Sequence, residues 1–77
     1  MEELVRYIVS NLVDNQEAFE VKSQVEDGIN VINIYADKEE IGKIIGKQGR
    51  IAKAIRSIVK AACGKDARKV SVEIIER

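Results

Sequence analysis

The chain contains no histidine, no tryptophan and no proline, and its only cysteine is Cys63. Each absence removes a class of function. Without histidine, a lone thiol can build neither a thiol–imidazole pair nor a multi-ligand thiolate site. No cofactor, no metal and no catalysis are therefore expected. A single cysteine permits no intramolecular disulfide, which suits a reducing compartment. With no proline and no low-complexity run, neither a linker nor a tail is expected. No segment approaches the ~18 uninterrupted apolar residues of a membrane span, and Met1-Glu2-Glu3 is acidic where a secretory signal is basic. The chain thus reads as cytoplasmic, with no membrane partner. Its 77 residues read as one domain, 1–77, near the lower end of what folds unaided. A core of that size rarely supplies more than roughly 3–5 kcal/mol, so support from a second subunit fits the size.

Charge of one sign is also missing overall: 13 Lys+Arg balance 13 Asp+Glu. That excludes a protein that coats nucleic acid by bulk charge. The balance conceals an asymmetry. Residues 1–40 hold ten acidic and three basic side chains, whereas residues 41–77 hold ten basic and three acidic. Lys43, Lys47, Arg50, Lys53, Arg56 and Lys60 follow one another with no acidic residue between them. A basic stripe on a neutral protein points to a local anionic partner.

Periodicity gives the elements. Leu4, Val5, Ile8 and Leu12 have the spacing of one helical face within the first fourteen residues. From Phe19 the period becomes two: Phe19, Val21 and Val25 alternate with polar neighbours. Asp27-Gly28 supplies a type I′ turn, which pairs Glu26 with Ile29, Val21 with Ile34 and Phe19 with Ala36. Asp37 is read as an N-cap, with Glu40 completing a capping box, and the helix it starts carries Ile41, Ile44 and Ile45 before Gly46 stops it. A further helix runs from about Arg50 to Cys63, with Ile51, Ala54, Ile55, Ile58 and Ala62 inward and Gly64 as its terminating residue. A short polar loop leads to a last strand through Val70, Val72 and Ile74. The expected fold is α+β, in the order α-β-β-α-α-β, with three helices on one face of a three-stranded sheet.

The chemistry concentrates at Ile44-Ile45-Gly46-Lys47-Gln48-Gly49-Arg50-Ile51. Two glycines bracket a short connection between helices. The start of a helix leaves backbone N–H groups unpaired and carries partial positive charge, so it attracts phosphate. Glycine lacks a Cβ and lets a sugar-phosphate backbone come close. Lys47 and Arg50 add cationic side chains, with Lys53 one turn on. Ile41, Ile44 and Ile45 offer an apolar flank for bases, an arrangement that needs unstacked, single-stranded nucleic acid. Gly42 either lets a ligand or another element approach the helix or eases helix packing. Arg56 and Lys60 read as a solvated face, and Cys63 as a small apolar residue at a helix end. Gly42-Lys-Ile-Ile-Gly46-Lys47-Gln48 has a superficial likeness to a P-loop, but it has three residues between its glycines instead of four and lacks the Ser/Thr after the lysine.

Ile-Gly-Lys-Gln-Gly-Arg-Ile between two helices resembles the Ile-Gly-x-x-Gly-x-x-Ile signature of K-homology (KH) domains. The leading helix and strand resemble the type II arrangement, and a single domain over essentially the whole chain resembles the stand-alone bacterial KH proteins of the KhpA family. The resemblance implies a groove that holds about four nucleotides of single-stranded RNA or DNA, clamped by the Gly46–Gly49 loop. It implies a far wall made by Lys65 to Lys69 and the last strand, which adds Arg68 and Lys69 to the candidate RNA-binding residues. It also implies a post-transcriptional regulator or RNA chaperone that forms a homodimer or pairs with a larger KH protein, KhpB, and is linked to cell shape and cell division. Tyr7, Phe19 and Tyr35 all lie upstream of the loop. Without the ~1–3 kcal/mol per base that aromatic stacking supplies, weak and loosely specific binding by one domain is expected, strengthened where a dimer presents two grooves. The rival expectation is a protein-interaction or dimerisation module with little RNA binding of its own.

Overall fold

Amphipathic patterning of the first residues produces α1 (Glu2–Ser10), with Glu2 and Glu3 in its first turn, where carboxylates favour the positive end of the helix. The computed structural model describes residues 1–77, apart from the side chain of Ala67. In α1 the buried line is Val5 and Val9, continued by Val13 beyond the helix. The expected face is therefore corrected: Ile8 and Leu12 are half-buried at its flank, and so is Leu4. The helix ends at Ser10 and not near residue 14: the Asn11 N–H closes onto the Ile8 carbonyl, and the Leu12 and Val13 N–H groups onto that of Val9.

The hairpin follows the sequence expectation. β1 (Phe19–Glu26) and β2 (Ile29–Ala36) pair antiparallel with Glu26 opposite Ile29, Val21 opposite Ile34 and Phe19 opposite Ala36. Asp27 and Gly28 have φ values of 51° and 80°, the two positive values a type I′ turn requires. Val25 is the exception on the inner face, 74% exposed. The carboxylate of Glu2, at the start of α1, accepts a 2.8 Å hydrogen bond from the Ser23 hydroxyl. The helical layer begins beside Ser23, and the hairpin tip projects past it.

α2 (Lys38–Ile45) and α3 (Arg50–Cys63) form the crossover to β3 (Val70–Glu76), which lies parallel to β2. The strand order is β1-β2-β3. Val21, Ile32, Ile34, Ala36 and Val72 on one sheet face form a single cluster with Val5, Val9, Ile44, Ile55 and Val59 from the helices. This is the expected α+β arrangement of α-β-β-α-α-β elements in a mixed three-stranded sheet. Among the described residues, no helix is long and apolar enough to cross a membrane.

Two local expectations gave way to long-range contacts. Asp37 occupies the N-cap position of α2 but makes no side-chain cap; its carboxylate accepts from Arg77 Nε at 2.7 Å. Glu40 does not complete a capping box. It is buried and accepts from the Asp14 backbone N–H at 3.3 Å, and it pairs with Lys43 Nζ at 3.1 Å. Hydrogen bonds from Lys43 to Asp14 and to Glu40 raise its pKa above the ordinary lysine range. A raised folded-state value means the contribution of this cluster is complete at neutral pH and is lost only as pH climbs through that value. The cluster fastens α2 to the segment after α1. In α3, Ala52, Ile55 and Val59 are buried, with Ile51 and Cys63 packed at their edge. Ala54 and Ala62 are exposed and Ile58 is 46% exposed, which corrects the expected inward set. The apolar arc of α3 is wider than the sheet beneath it, so only one side is covered.

Candidate nucleic-acid interface

The loop is assembled from backbone conformations few residues tolerate. α2 stops at Ile45, and the Gly46 N–H donates to the Gly42 carbonyl at 2.8 Å. Gly46 then takes φ 73° and ψ 177°, a one-turn 3₁₀ helix covers Lys47–Gly49, and α3 opens at Arg50. Gln48 and Gly49 are consecutive left-handed residues, at φ 57° and 74°.

The two glycines do different things. A Cβ on Gly46 would stand 2.6 Å from Ile51 Cγ1, whereas a Cβ on Gly49 would meet nothing within 4 Å. The missing side chain of Gly46 makes room for the protein's own Ile51. That of Gly49 leaves open space, so only Gly49 offers close approach to a ligand. Just past it, α3 has no side-chain cap and no acidic residue in its first turn. Fourteen aligned peptides point their positive end at this opening. Lys47, Arg50 and Lys53 are exposed, and among the described residues none of them forms an ion pair. The Gly49 and Arg50 N–H groups are held by the Gly46 and Lys47 carbonyls, so the anion site is made by unneutralised cations at the positive end of a helix that has no side-chain cap.

The apolar flank is narrower than the sequence suggests. Ile44 is 0% exposed and belongs to the core, so it cannot border a base. Ile45 is 37% exposed and Ile41 half-buried. Gly42 is exposed, and a Cβ there would also meet nothing within 4 Å. Of its two readings, helix packing is removed and an unobstructed surface remains. Arg68 and Lys69 lie in the 3₁₀ segment Gly64–Lys69 at the other end of α3. A 14-residue helix at ~1.5 Å per residue puts them roughly 20 Å from the loop.

One residue of this region was read only as surface charge. Arg56 Nε donates to the Val72 carbonyl of β3 at 3.2 Å. With Val59, Lys60 and residues 70–73, Arg56 lines a cleft of about 130 Å³ between α3 and the outer side of β3. The i, i+3, i+7 spacing of Lys53, Arg56 and Lys60 was the available signal, since it puts all three on one side of α3. Which side faces the sheet edge is visible only in three dimensions. Among the described residues, no group of three metal-ligating side chains is found.

With this geometry in place, the chain can be set beside known proteins. The family model described as KhpA/KhpB, KH domain matches residues 2–74. A Clostridium perfringens protein named RNA-binding protein KhpA is 48% identical over 75 residues, which span 97% of this chain and 100% of that protein. Proteins of the same name from Caldanaerobacter subterraneus and Listeria monocytogenes are 49% and 45% identical, over 97% and 99% of this chain and all of theirs. The likeness runs from α1 to β3 and takes in the Gly46–Gly49 loop. The chain belongs to the KhpA/KhpB family of KH domains.

Proposed function

We propose that this protein binds single-stranded RNA without catalysis, holding phosphates at Gly46-Lys47-Gln48-Gly49 and the start of α3. The observation that carries the reading is the open, uncapped beginning of α3, with unobstructed space over Gly49 and the unpaired Lys47 and Arg50 beside it. The names of its relatives support the same ligand. Bases lie along Ile41, Gly42 and Ile45, and the strand continues past Lys53 and the Arg56–Lys60 cleft toward Arg68 and Lys69. A loop that neutralises two or three phosphates has a salt slope of ~0.7 per phosphate. Affinity for a labelled single-stranded RNA, followed by fluorescence anisotropy, should fall on the order of tenfold between 50 and 200 mM salt. Salt-independent binding would remove the phosphate clamp from the reading. In the cell this activity corresponds to a cytoplasmic post-transcriptional regulator or RNA chaperone.

Association accompanies it. Ala54, Ile58 and Ala62 form an uncovered apolar line on the side of α3 away from Arg56 and Lys60. That line suits a second copy, or the KH domain of a larger partner such as KhpB, and leaves the basic side free. Sedimentation of wild type should give a dimer, and an Ile58→Glu variant a folded monomer. A monomeric wild type at high concentration would remove the homodimer and leave the heterodimer to test.

A further inference from the structure

The edge of the sheet farthest from β3 carries features that RNA binding does not use. The order β1-β2-β3 leaves β1 with one neighbour. A two-residue turn makes Glu26 and Ile29 a hydrogen-bonded pair, so Glu20, Lys22, Gln24 and Glu26 direct their backbone groups at β2. The N–H and C=O groups of Phe19, Val21, Ser23 and Val25 then point outward. Arg6 confirms the alternation, since its Nη2 donates to the Val21 carbonyl at 3.2 Å.

Between this edge and α1 runs an open groove of about 730 Å³, walled by Glu3, Arg6, Tyr7 and Ser10, by Gln16 and by Phe19 to Val21. Tyr7 is 69% exposed and lines the groove. An outward row of backbone donors and acceptors beside a groove is what an added strand requires: main-chain bonds give attachment, and alternate side chains enter the groove, which here is mostly polar with apolar surface at Tyr7 and Phe19. Charge selects the occupant. Residues 1–26 hold six acidic and two basic side chains, and Arg6 is already paired with Glu2 at 2.7 Å. The row on the sheet's other face beside this edge reads Glu20, Lys22, Gln24 and Glu26, with Glu3 on the opposite rim; Glu20 stands 3.6 Å from Lys22 and 3.7 Å from Arg77, whereas Glu3 and Glu26 have no ion pair among the described residues.

We propose that the β1 edge binds an extended, basic peptide segment of a partner protein as a fourth strand. Its apolar residues enter the groove beside Phe19 and Tyr7, and its lysines or arginines meet Glu26 and compete with Lys22 for Glu20. Arg6 is the gate. The peptide's N–H replaces it on the Val21 oxygen, and Arg6 keeps Glu2, so no charge is stranded. The site stands on the acidic half of the molecule and does not depend on the RNA reading.

The probe is acetyl-Val-Lys-Val-Lys-Val-Lys-amide, titrated into ¹⁵N-labelled full-length protein. The amides of Phe19, Val21 and Ser23 should shift together with those around Tyr7, with an affinity near millimolar or tighter. The Gly46–Gly49 amides should stay in place, and the same peptide with Glu for Lys should give no shifts. Arg6→Ala frees the Val21 carbonyl and should tighten binding by about threefold to tenfold, the worth of one hydrogen bond. Ser23→Pro removes an outward N–H that the β1–β2 ladder does not use and should weaken binding by about tenfold. Should that variant misfold, the Glu20→Lys, Glu26→Lys pair leaves the backbone intact and should abolish selection for the lysine peptide. Absence of shifts at β1, equal binding of the glutamate peptide, or shifts that follow protein concentration alone would each overturn the proposal. The last would mean that a second copy takes the edge.

Discussion

A Lys47→Asp, Gln48→Asp variant is expected to lose single-stranded RNA binding by on the order of a hundredfold while retaining its helix content and melting temperature. The magnitude follows from one charge-assisted contact removed, worth about 1.5–3 kcal/mol, together with two carboxylates placed where phosphates approach. Retention of the fold follows from the same geometry. Both side chains are exposed. Gln48 has φ 57° and ψ 25°, a left-handed conformation that aspartate accepts more readily than most residues. The start of α3 has no cap and no acid of its own. New carboxylates there are intramolecular substitutes for the ligand and stabilise the helix by about 0.3–1 kcal/mol. Anisotropy with a labelled single-stranded RNA, alongside circular dichroism of both proteins, is the measurement. Equal binding by both would move the RNA site off the loop. Binding by neither would give the lead to the interaction-module reading.

The second large effect separates the two glycines. Gly46→Ala should unfold or nearly unfold the domain, whereas Gly49→Ala should keep the fold and impair binding. At Gly46, φ 73° with ψ 177° is a region open essentially to glycine alone, with strain of about 1–3 kcal/mol for other residues. The added methyl would also sit 2.6 Å from Ile51 Cγ1, and overpacking of that kind adds about 1–3 kcal/mol. Together these approach the ~5 kcal/mol at the low end of domain stability. Gly49 is in the ordinary left-handed region at φ 74°, ψ 15°, and its methyl would enter open space. Only about 1–2 kcal/mol is lost there, or roughly 5–15 °C in Tm for a domain of this size. The methyl nevertheless stands where a sugar-phosphate backbone comes nearest. Thermal melts and RNA titrations of both variants test the division; equal melting temperatures would contradict it.

These two glycines also mark the reach of the sequence. That Gly46 and Gly49 flank a turn between helices was legible, since helical periodicity runs up to one and resumes after the other. That one makes room for Ile51 and the other for a ligand was not. The difference lies in the direction of an absent Cβ, set by how α2 and α3 cross. Ile44 and Ile45 are a similar pair. Both are apolar and adjacent, yet Ile44 is sealed in the core and Ile45 is partly exposed. Among the other candidates, Lys47, Arg50 and Lys53 are exposed beside the loop, and Arg68 and Lys69 stand at the far end of α3. Arg56 was passed over because a basic residue opposite an apolar stripe is what any soluble helix carries.

By itself the sequence determined whatever depends on neighbours along the chain. It set the hairpin and its register through Asp27-Gly28, the stop of α3 at Gly64, the loop between Gly46 and Gly49, and the division into an acidic first half and a basic second half. Dihedral preference and side-chain period act over a few residues, so they can be read in one dimension. Tertiary structure decided every choice among residues of equal local merit. The Asp37 carboxylate went to Arg77 instead of its own helix, and Glu40 went to Asp14 and Lys43. The sheet took the Ala52–Ile55–Val59 side of α3 and left Ile58 out. Arg6 and Arg56 each came to rest on a carbonyl at an outer edge of the sheet. Those outcomes turn on partners up to 40 residues away, and only the packed chain brings such partners within hydrogen-bonding distance.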